Sequence, residues 1–168
     1  MSKIFGGCVV STLFFLTIPV FPIEAADVSV IVIETGLSQD NASSLAGIWE
    51  SGIMDVLFEA GHIVTNAQSI KIIVYPVDAV PQEVRTSISE ALEGGAQYFI
   101  IAVLNYNQNI EGKELQPIQV TLEVINLSNN KSLYKQVMSK PAAINPRDEF
   151  SYAQKAARII MPYIGGSV

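Results

Sequence analysis

Two segments of this 168-residue chain are almost continuously apolar and rich in β-branched residues. The first runs from Asp27 to Glu34 and the second from Tyr98 to Leu104. Such runs are typical of strands that are buried on both faces. The first is therefore predicted to be a buried strand and the second a central strand. Strands of this kind need covering elements on either side of their sheet.

Three helices are predicted to supply that cover. The first carries apolar residues three and four positions apart, and Gly61 is well placed to end it. Its stripe consists of Leu45, Ile48, Trp49, Gly52, Ile53, Val56, Leu57 and Ala60. The second helix begins at Pro81, which suits a first helical position, and ends at Gly94. The third begins after Asn145, a residue suited to capping.

The second half of the chain predicts a hairpin. Apolar residues occupy every second position from Ile118 to Val124, as in a strand with one solvent-exposed face. A turn at 128–130 leads to a partner strand from Ser132 to Met138. Short strands are also predicted at 62–64 and 70–75. The order favours a single α/β (α+β) domain, with a mixed β-sheet covered by about three helices.

The first 25 residues are predicted to be a signal peptide. Lys3 gives a positive start, Ile4 to Ile23 carries no charge, and the small residue Ala25 precedes the expected cleavage site before Ala26. The domain then occupies residues 26–168, in the periplasm or secreted. An uncleaved membrane anchor is the alternative, because the uncharged stretch approaches the length that spans a bilayer. In that case the membrane contacts the chain only through this segment.

Composition excludes several function classes. The chain has 10 Lys and Arg against 16 Asp and Glu, a formal net charge of -6, whereas nucleic-acid binders are usually basic. It has one Cys and one His, too few for a zinc finger, an iron–sulfur site or a disulfide framework. We therefore expect no nucleic-acid partner, no metal and no other cofactor.

No residue pattern predicts catalysis. His62 is the single imidazole and follows the predicted end of the first helix, where the helix dipole favours it. Glu50, Asp55 and Glu59 lie along that helix, and carboxylates at such spacing usually form a solvated face. Glu111 and Glu114 in the polar loop lack the oxygen pattern of a calcium site, and Gly94-Gly95 precedes a strand instead of opening a helix. The chain is predicted not to be an enzyme.

Three segments resemble the small periplasmic α/β domain of the TolB amino-terminal region and of the CsgG and LpoB group. They are Leu57 to Val64, Ala91 to Ile101 and Val124 to Tyr134. The first two are similar to that family's helix ends with a glycine before a strand. The third is similar to its hairpin, with Asn126 and Asn129-Asn130 in place of the commoner turn residues. The resemblance implies a non-catalytic envelope module that acts by binding proteins.

One pair of apolar side chains is offset from the stripe of the first helix. Met54 and Phe58 lie four positions apart, so they share a helix face. Either the buried stripe is broad, because a sheet and another helix both cover it, or the pair is exposed for a partner. Broad burial is the commoner case. In the other case, Met54 and Phe58 are the candidate interaction residues.

Three functions follow from these observations. The first is an accessory protein that binds another envelope protein or assembly. The alternative is a small-ligand-binding periplasmic domain, which uses the crevice at the carboxyl ends of the strands and the polar loop from Asn105 to Gln116. The third is a hydrolase built on Glu50, Asp55 or Glu59. No oligomeric state is predicted.

Overall fold

The computed structural model describes residues 25–36, 45–76, 80–106, 116–143 and 145–165. Within these ranges it has six strands, three α-helices and a 3₁₀ turn at Met161–Tyr163. In chain order they are β1 (Asp27–Thr35), α1 (Ala46–Glu59), β2 (Ile63–Asn66), β3 (Ile70–Ile72), α2 (Gln82–Glu93), β4 (Tyr98–Tyr106), β5 (Pro117–Asn126), β6 (Lys131–Ser139) and α3 (Pro146–Ile160). Apart from Ala25, the predicted signal peptide lies outside the described residues. No described helix is both long and apolar enough to cross a bilayer.

The six strands form one mixed sheet. Five of them lie side by side in the order β2-β1-β4-β5-β6, and β3 pairs with β1 on the same side as β2. β2 pairs with the start of β1 and β3 with its end, and both are parallel to it. β4 is parallel to β1 on its other side, whereas β5 runs antiparallel to β4 and β6 antiparallel to β5. One edge is therefore the nine-residue strand β6, and the other is split between strands of four and three residues.

The central strands β1 and β4 are buried on both faces, as predicted. Successive side chains of a strand point to opposite faces of the sheet. In β1, Val30 and Val32 accordingly join a core with α1 and α3, while Ile31 and Ile33 join a core with α2. We call the first side the two-helix face and the second the one-helix face.

The two faces are covered to different extents. On the two-helix face, α1 and α3 contribute Trp49, Ile53, Val56, Leu57, Ala153, Ala157 and Ile160 to the core. On the one-helix face, α2 contributes the buried Val84, with Ile88 and Ala91 partly buried beside it. These α2 residues pack with side chains of β1 and β4, and most of β6 is exposed. The one-helix face is thus only partly covered.

The two covering helices of the two-helix face meet closely at Gly52. A β-carbon at this position would lie 2.7 Å from the Ala153 Cβ and 2.9 Å from the Phe150 carbonyl oxygen. Such distances are shorter than van der Waals contact, so only glycine allows this approach of α1 and α3. The sequence placed Gly52 on the buried stripe, and the structure shows the reason for its small size.

The predicted fold class is confirmed: a single α/β domain with a mixed sheet and three helices. Several element boundaries differ from prediction; β2, for example, extends to Asn66 instead of ending at residue 64. The strand expected at 70–75 ends at Ile72, and α2 begins at Gln82 because the backbone of Pro81 is extended, with ψ 151°.

The predicted cap of α3 is confirmed. Asn145 accepts a hydrogen bond from the Asp148 amide at 3.1 Å, and the Asp148 carboxylate accepts one from the Asn145 amide at 3.2 Å.

Gly52→Ala should lower the free energy of unfolding by about 1 kcal/mol or more, because overpacking of the helix contact outweighs the gain in helix propensity. Gly47→Ala is the matched control on the same helix, since nothing lies within 4 Å of its added β-carbon. It should raise the same free energy by about 0.5–1 kcal/mol. Urea unfolding of both variants measures the difference, and changes of equal sign would contradict the close contact.

Candidate functional site

The two residues of the predicted interaction pair, Met54 and Phe58, differ in their exposure to solvent. Met54 is partly buried and packs against the core of the two-helix face, so the stripe of α1 is broad at this residue. Phe58 leaves 54% of its surface exposed. Only Phe58 therefore offers a large apolar surface, and a role of the pair in binding stays a prediction.

A larger apolar surface surrounds an open cleft on the one-helix face. The cleft has a volume of about 310 Å³ and lies beside the carboxyl ends of β1 and β4, where the sequence predicted a crevice. We call it the strand-end cleft. Its lining consists of Thr35, Ile73, Val74, Tyr75, Pro76, Val103, Asn105, Thr121, Lys135 and Val137. Most of the polar loop that was expected to contribute, residues 107–115, lies outside the described residues.

The strand-end cleft exists because α2 stops short of this part of the sheet. None of its described lining residues comes from α2. The chain after β3 forms one wall, held by a hydrogen bond from the Gly36 amide to the Ile73 carbonyl oxygen at 3.1 Å. The outer strands β5 and β6 form the opposite wall. The cleft is therefore part of the fold and does not depend on one loop alone.

The rim of the strand-end cleft is apolar. Ile73 is 66% exposed, Val74 75% and Val137 58%. Single exposed apolar residues are normal on a protein surface, but a group of them around a concavity is typical of an interaction site. No sequence pattern marked Ile73 and Val74, because they were assigned to a strand that ends before them.

Two of the polar side chains that line the cleft have partners within the domain. The Thr35 hydroxyl donates to the Leu104 carbonyl oxygen at 3.4 Å, and Lys135 forms an ion pair with Glu123 at 3.0 Å. Burial raises the pKa of Tyr75, and the negative charge of Glu123 raises it further. The phenol therefore stays protonated at neutral pH. This arrangement can bind apolar groups, and among the described lining residues no nucleophile is seen hydrogen-bonded to a base.

A second cleft, of about 430 Å³, lies on the one-helix face near the start of β1. Its polar lining residues are hydroxyls, carboxylates and one amide: Asp27, Ser29, Thr65, Asn66, Ser87 and Glu90. Its described lining includes no Lys, Arg or His. An anionic ligand would thus meet two carboxylates and no positive charge, so we do not regard this cleft as the functional site.

Buried polar residues cluster on the two-helix face, near the carboxyl ends of β1 and β4. The Glu34 side chain is 1% exposed and accepts hydrogen bonds from the Tyr106 hydroxyl at 2.8 Å and the Leu45 amide at 2.9 Å. Lys71 lies 3.9 Å from its other oxygen. Burial raises the pKa of Tyr106, and the hydrogen bond to Glu34 raises it further. The Tyr106 hydroxyl therefore remains a donor.

A second buried carboxylate belongs to Glu149 in the first turn of α3. It accepts hydrogen bonds from the Trp49 indole at 2.8 Å and from the Lys140 ammonium at 2.7 Å. The side chains of Lys140 and Glu149 are both only 3% exposed. The sequence suggested only a helix-dipole role for Glu149, because its partners lie 9 and 100 positions away.

The two buried carboxylates join separate elements of the fold. Each of them accepts hydrogen bonds from two other residues. Among the described residues, no three His, Cys, Asp or Glu side chains are grouped so as to hold a metal ion. The cluster connects β1, β4, α1, α3 and the chain after β6.

The carboxylates named for a hydrolase point in different directions. Glu50 accepts a hydrogen bond from Asn66 at the β2 edge, at 2.8 Å. Burial raises the pKa of Glu50, and this hydrogen bond partly offsets the effect. Asp55 accepts one from Gln154 on α3 at 2.6 Å, and Glu59 is exposed at the end of α1. Glu50 and Asp55 therefore do not face one another across a common site.

His62 is buried, not surface-exposed at a helix end. Its Nδ1 accepts a hydrogen bond from the Ala26 amide at 3.2 Å, so the neutral ring carries its proton on Nε2. Nε2 is buried and has no hydrogen-bond partner among the described residues. Burial lowers the pKa of His62. The ring is thus held neutral, and a favourable charge–dipole interaction with α1 does not explain its position.

A family model described as "Uncharacterised protein" matches residues 28–162. The chain belongs to this family. The match covers every described strand and helix except the first residue of β1 and the end of the 3₁₀ turn. A search of the curated proteins found no match.

Several solved structures are similar to this chain. A dodecamer of a PelC variant from Paraburkholderia phytofirmans shares 16% identity, with a TM-score of 0.44 over 82% of this chain and 88% of that one. TolB from Acinetobacter baumannii shares 13%, with a TM-score of 0.46 over 85% of this chain and only 30% of TolB. Lipoprotein GNA1162 from Neisseria meningitidis shares 12%, with a TM-score of 0.45 over 85% and 99%.

TolB, which is part of the predicted resemblance, is thus among the similar structures, whereas the CsgG and LpoB part stays a prediction. At these identities and TM-scores nothing about function is transferred from the three proteins. The functional argument rests on the clefts and edges of this chain itself.

The stability of the domain should decrease as pH falls through the range in which His62 titrates. An unfolded histidine has a pKa of about 6.5, and the folded value is lower. The unfolded state therefore binds the proton more readily, and the contribution present above about pH 7 is lost on acidification. Urea unfolding from pH 8 to 5 measures this slope. His62→Asn, which keeps an acceptor for Ala26 but does not titrate, should show a smaller slope; an unchanged slope would contradict the assignment.

Breaking the buried ion pair should be costly. Glu149→Leu leaves the buried Lys140 ammonium without its carboxylate partner, and Lys140→Met leaves the buried Glu149 carboxylate without its ammonium partner. Each variant should lower the free energy of unfolding by about 3–5 kcal/mol. The double variant should recover part of that loss, because no unpaired charge remains. The half-exposed pair of Glu123 and Lys135 is the control, with an expected coupling of about 1 kcal/mol or less. Equal coupling in the two double-mutant cycles would contradict this account.

Proposed function

We propose that this domain is a non-catalytic accessory protein of the cell envelope that binds another protein through the strand-end cleft. The observation that carries the proposal is the exposed apolar rim formed by Ile73, Val74 and Val137 around an open concavity. Water contact with these side chains is unfavourable, and a partner that covers them removes it. The position at the carboxyl ends of parallel strands is one where α/β domains commonly bind partners or ligands.

The size of the rim favours a protein over a small molecule. The cleft volume of about 310 Å³ lies at the lower end of the range for ligand pockets. A small ligand fills that volume but leaves the outward surfaces of Ile73 and Val74 in water. A protein surface covers the cleft and the rim together. Small-ligand binding is therefore the second candidate, supported by the cleft alone.

The envelope location rests on two sequence observations. One is the charge-free segment from Ile4 to Ile23 behind Lys3, which has the layout of a signal peptide. The other is the resemblance of three segments to periplasmic domains that act by binding proteins. The non-catalytic role is supported by the carboxylates of Glu34 and Glu149, which serve as buried hydrogen-bond acceptors inside the fold.

Site-specific photocrosslinking in cells that produce the full chain tests the proposal. A photoreactive phenylalanine derivative at position 74 should give one discrete adduct with another protein. The same derivative at position 92 is the matched control, because Leu92 is also an exposed apolar residue, at 52%, but lies on α2 outside the cleft lining. Position 92 should not give that adduct.

Val137→Glu supplies the second arm of this experiment. A carboxylate buried on the rim should lower the yield of the position-74 adduct about tenfold or more, while the isolated domain keeps its unfolding midpoint. Phe58→Ser tests the surface predicted from the sequence. A loss with Phe58→Ser but not with Val137→Glu would move the binding site to α1, and no discrete adduct at position 74 would overturn the proposal.

A further inference from the structure

The sheet has one long edge, and it lies next to the strand-end cleft. Among the described residues, β6 pairs with β5 alone along its nine residues. A strand at the edge of a sheet presents a row of unpaired backbone N–H and C=O groups on its outer side. The opposite edge offers no comparable row, because β2 and β3 are short and separated by residues 67–69.

The backbone groups that point outward from β6 follow from one hydrogen bond. The Lys140 amide donates to the Ile118 carbonyl oxygen at 2.9 Å, so residue 140 faces β5. Neighbouring residues of an antiparallel strand alternate between the inner and the outer side. The N–H and C=O groups of Ser139 and Val137 therefore point away from the sheet.

A concavity flanks this edge on each face. On the one-helix face, Lys135 and Val137 belong to the strand-end cleft. On the two-helix face, a groove of about 100 Å³ lies between β6 and α3 and is lined by Met138, Tyr152 and Ile159 among others. A strand added beside β6 directs alternate side chains to the two faces, one set to the cleft and the other to the groove. This is the usual geometry of peptide recognition by strand addition.

The edge is locally positive in a chain whose net charge is -6. β6 contains Lys131 and Lys135, both exposed, and no Asp or Glu. Lys155 lines the groove on the two-helix face and lies 5.4 Å from the centre of the Tyr152 ring. Lys135 forms an ion pair with Glu123. Because an ammonium group has three N–H donors, Lys135 can also bind a second carboxylate. Acidic side chains on an added strand meet opposite charges here.

We propose that the partner contributes an extended segment, with apolar residues at alternate positions and acidic residues beside them, and that this segment adds to β6 as the next strand of the sheet. The inference rests on the proposed function and specifies its partner chemistry. The outward N–H and C=O groups of Val137 and Ser139 bind the backbone of the segment. Its apolar side chains point to the one-helix face and fill the cleft, and its carboxylates point to the two-helix face, toward Lys131 and Lys155.

A second copy of this chain brings like charges together in one register of the edge. In an antiparallel pair of two β6 strands centred on Leu133, Lys131 of one copy lies opposite Lys135 of the other. Like charges directly opposite each other on neighbouring strands are destabilising. An acidic segment replaces this repulsion with attraction.

The test removes one outward N–H group without changing the cleft. Ser139→Pro deletes the Ser139 donor, and proline is tolerated on an edge strand where its nitrogen faces outward. Ser139→Ala is the matched control, because it keeps the N–H group and removes only the hydroxyl. Both variants are made in the full chain with the photoreactive residue at position 74, and the unfolding midpoint of each shows that the domain is folded. Loss of the hydrogen bond and clash of the ring should lower the adduct yield at least about tenfold for proline, with no loss for alanine.

The outcomes separate the two proposals. An adduct that survives Ser139→Pro in a folded domain overturns strand addition but leaves the protein-binding function intact. No adduct in the parent chain overturns the function itself. If Ser139→Pro does not fold, Lys131→Glu/Lys155→Glu replaces it and should lower the yield by charge repulsion. Sequencing of the crosslinked segment should show alternating apolar residues with Asp or Glu; a basic segment, or one from this same chain, contradicts the proposed partner.

Discussion

The parallel pairing of β1 with β4 is the constraint on which the rest of the structure depends. Both strands are apolar on both sides, so the sheet must be covered on two faces. The cover is unequal: α1 and α3 pack tightly on one face, with Gly52 at their contact, while α2 alone protects the other. The strand-end cleft is the part of the second face that α2 does not reach. The candidate binding surface is thus a direct result of how the helices are divided.

Buried charges stabilise a particular arrangement of these layers. Glu34 connects the end of β1 to the start of α1 and to β4, and Glu149 connects α3 to α1 and to the chain after β6. A buried carboxylate is costly to desolvate unless donors satisfy it, so any displacement of a layer that separates these partners is unfavourable. Apolar packing alone tolerates small shifts between layers. The hydrogen-bonded carboxylates restrict such shifts at the end of the domain where the cleft lies.

Local patterns in the sequence predicted most of the fold. What they missed are contacts between residues that are far apart in the chain. Continuous β-branched runs predicted β1 and β4, and strict alternation predicted the hairpin of β5 and β6. The contacts of Glu149 with Trp49 and of Glu34 with Tyr106 could not be predicted, since their partners lie 100 and 72 positions apart. A single carboxylate at the end of an apolar strand was the available signal for Glu34. The details of the cleft were missed because they depend on how much of the sheet α2 covers, which no local pattern in the sequence predicts.

Because β2 and β3 divide one edge of the sheet, only the β6 edge among the described strands offers a long row of backbone groups to another strand. A strand that joins β6 finds a continuous row of backbone groups, whereas a strand approaching β1 from the other side meets two short segments already in place. The proposed strand addition can therefore occur at β6 alone among the described strands, which does not favour growth into a fibre through both edges. Under the proposed strand addition, each molecule holds one extended chain without promoting polymerisation of its own sheet.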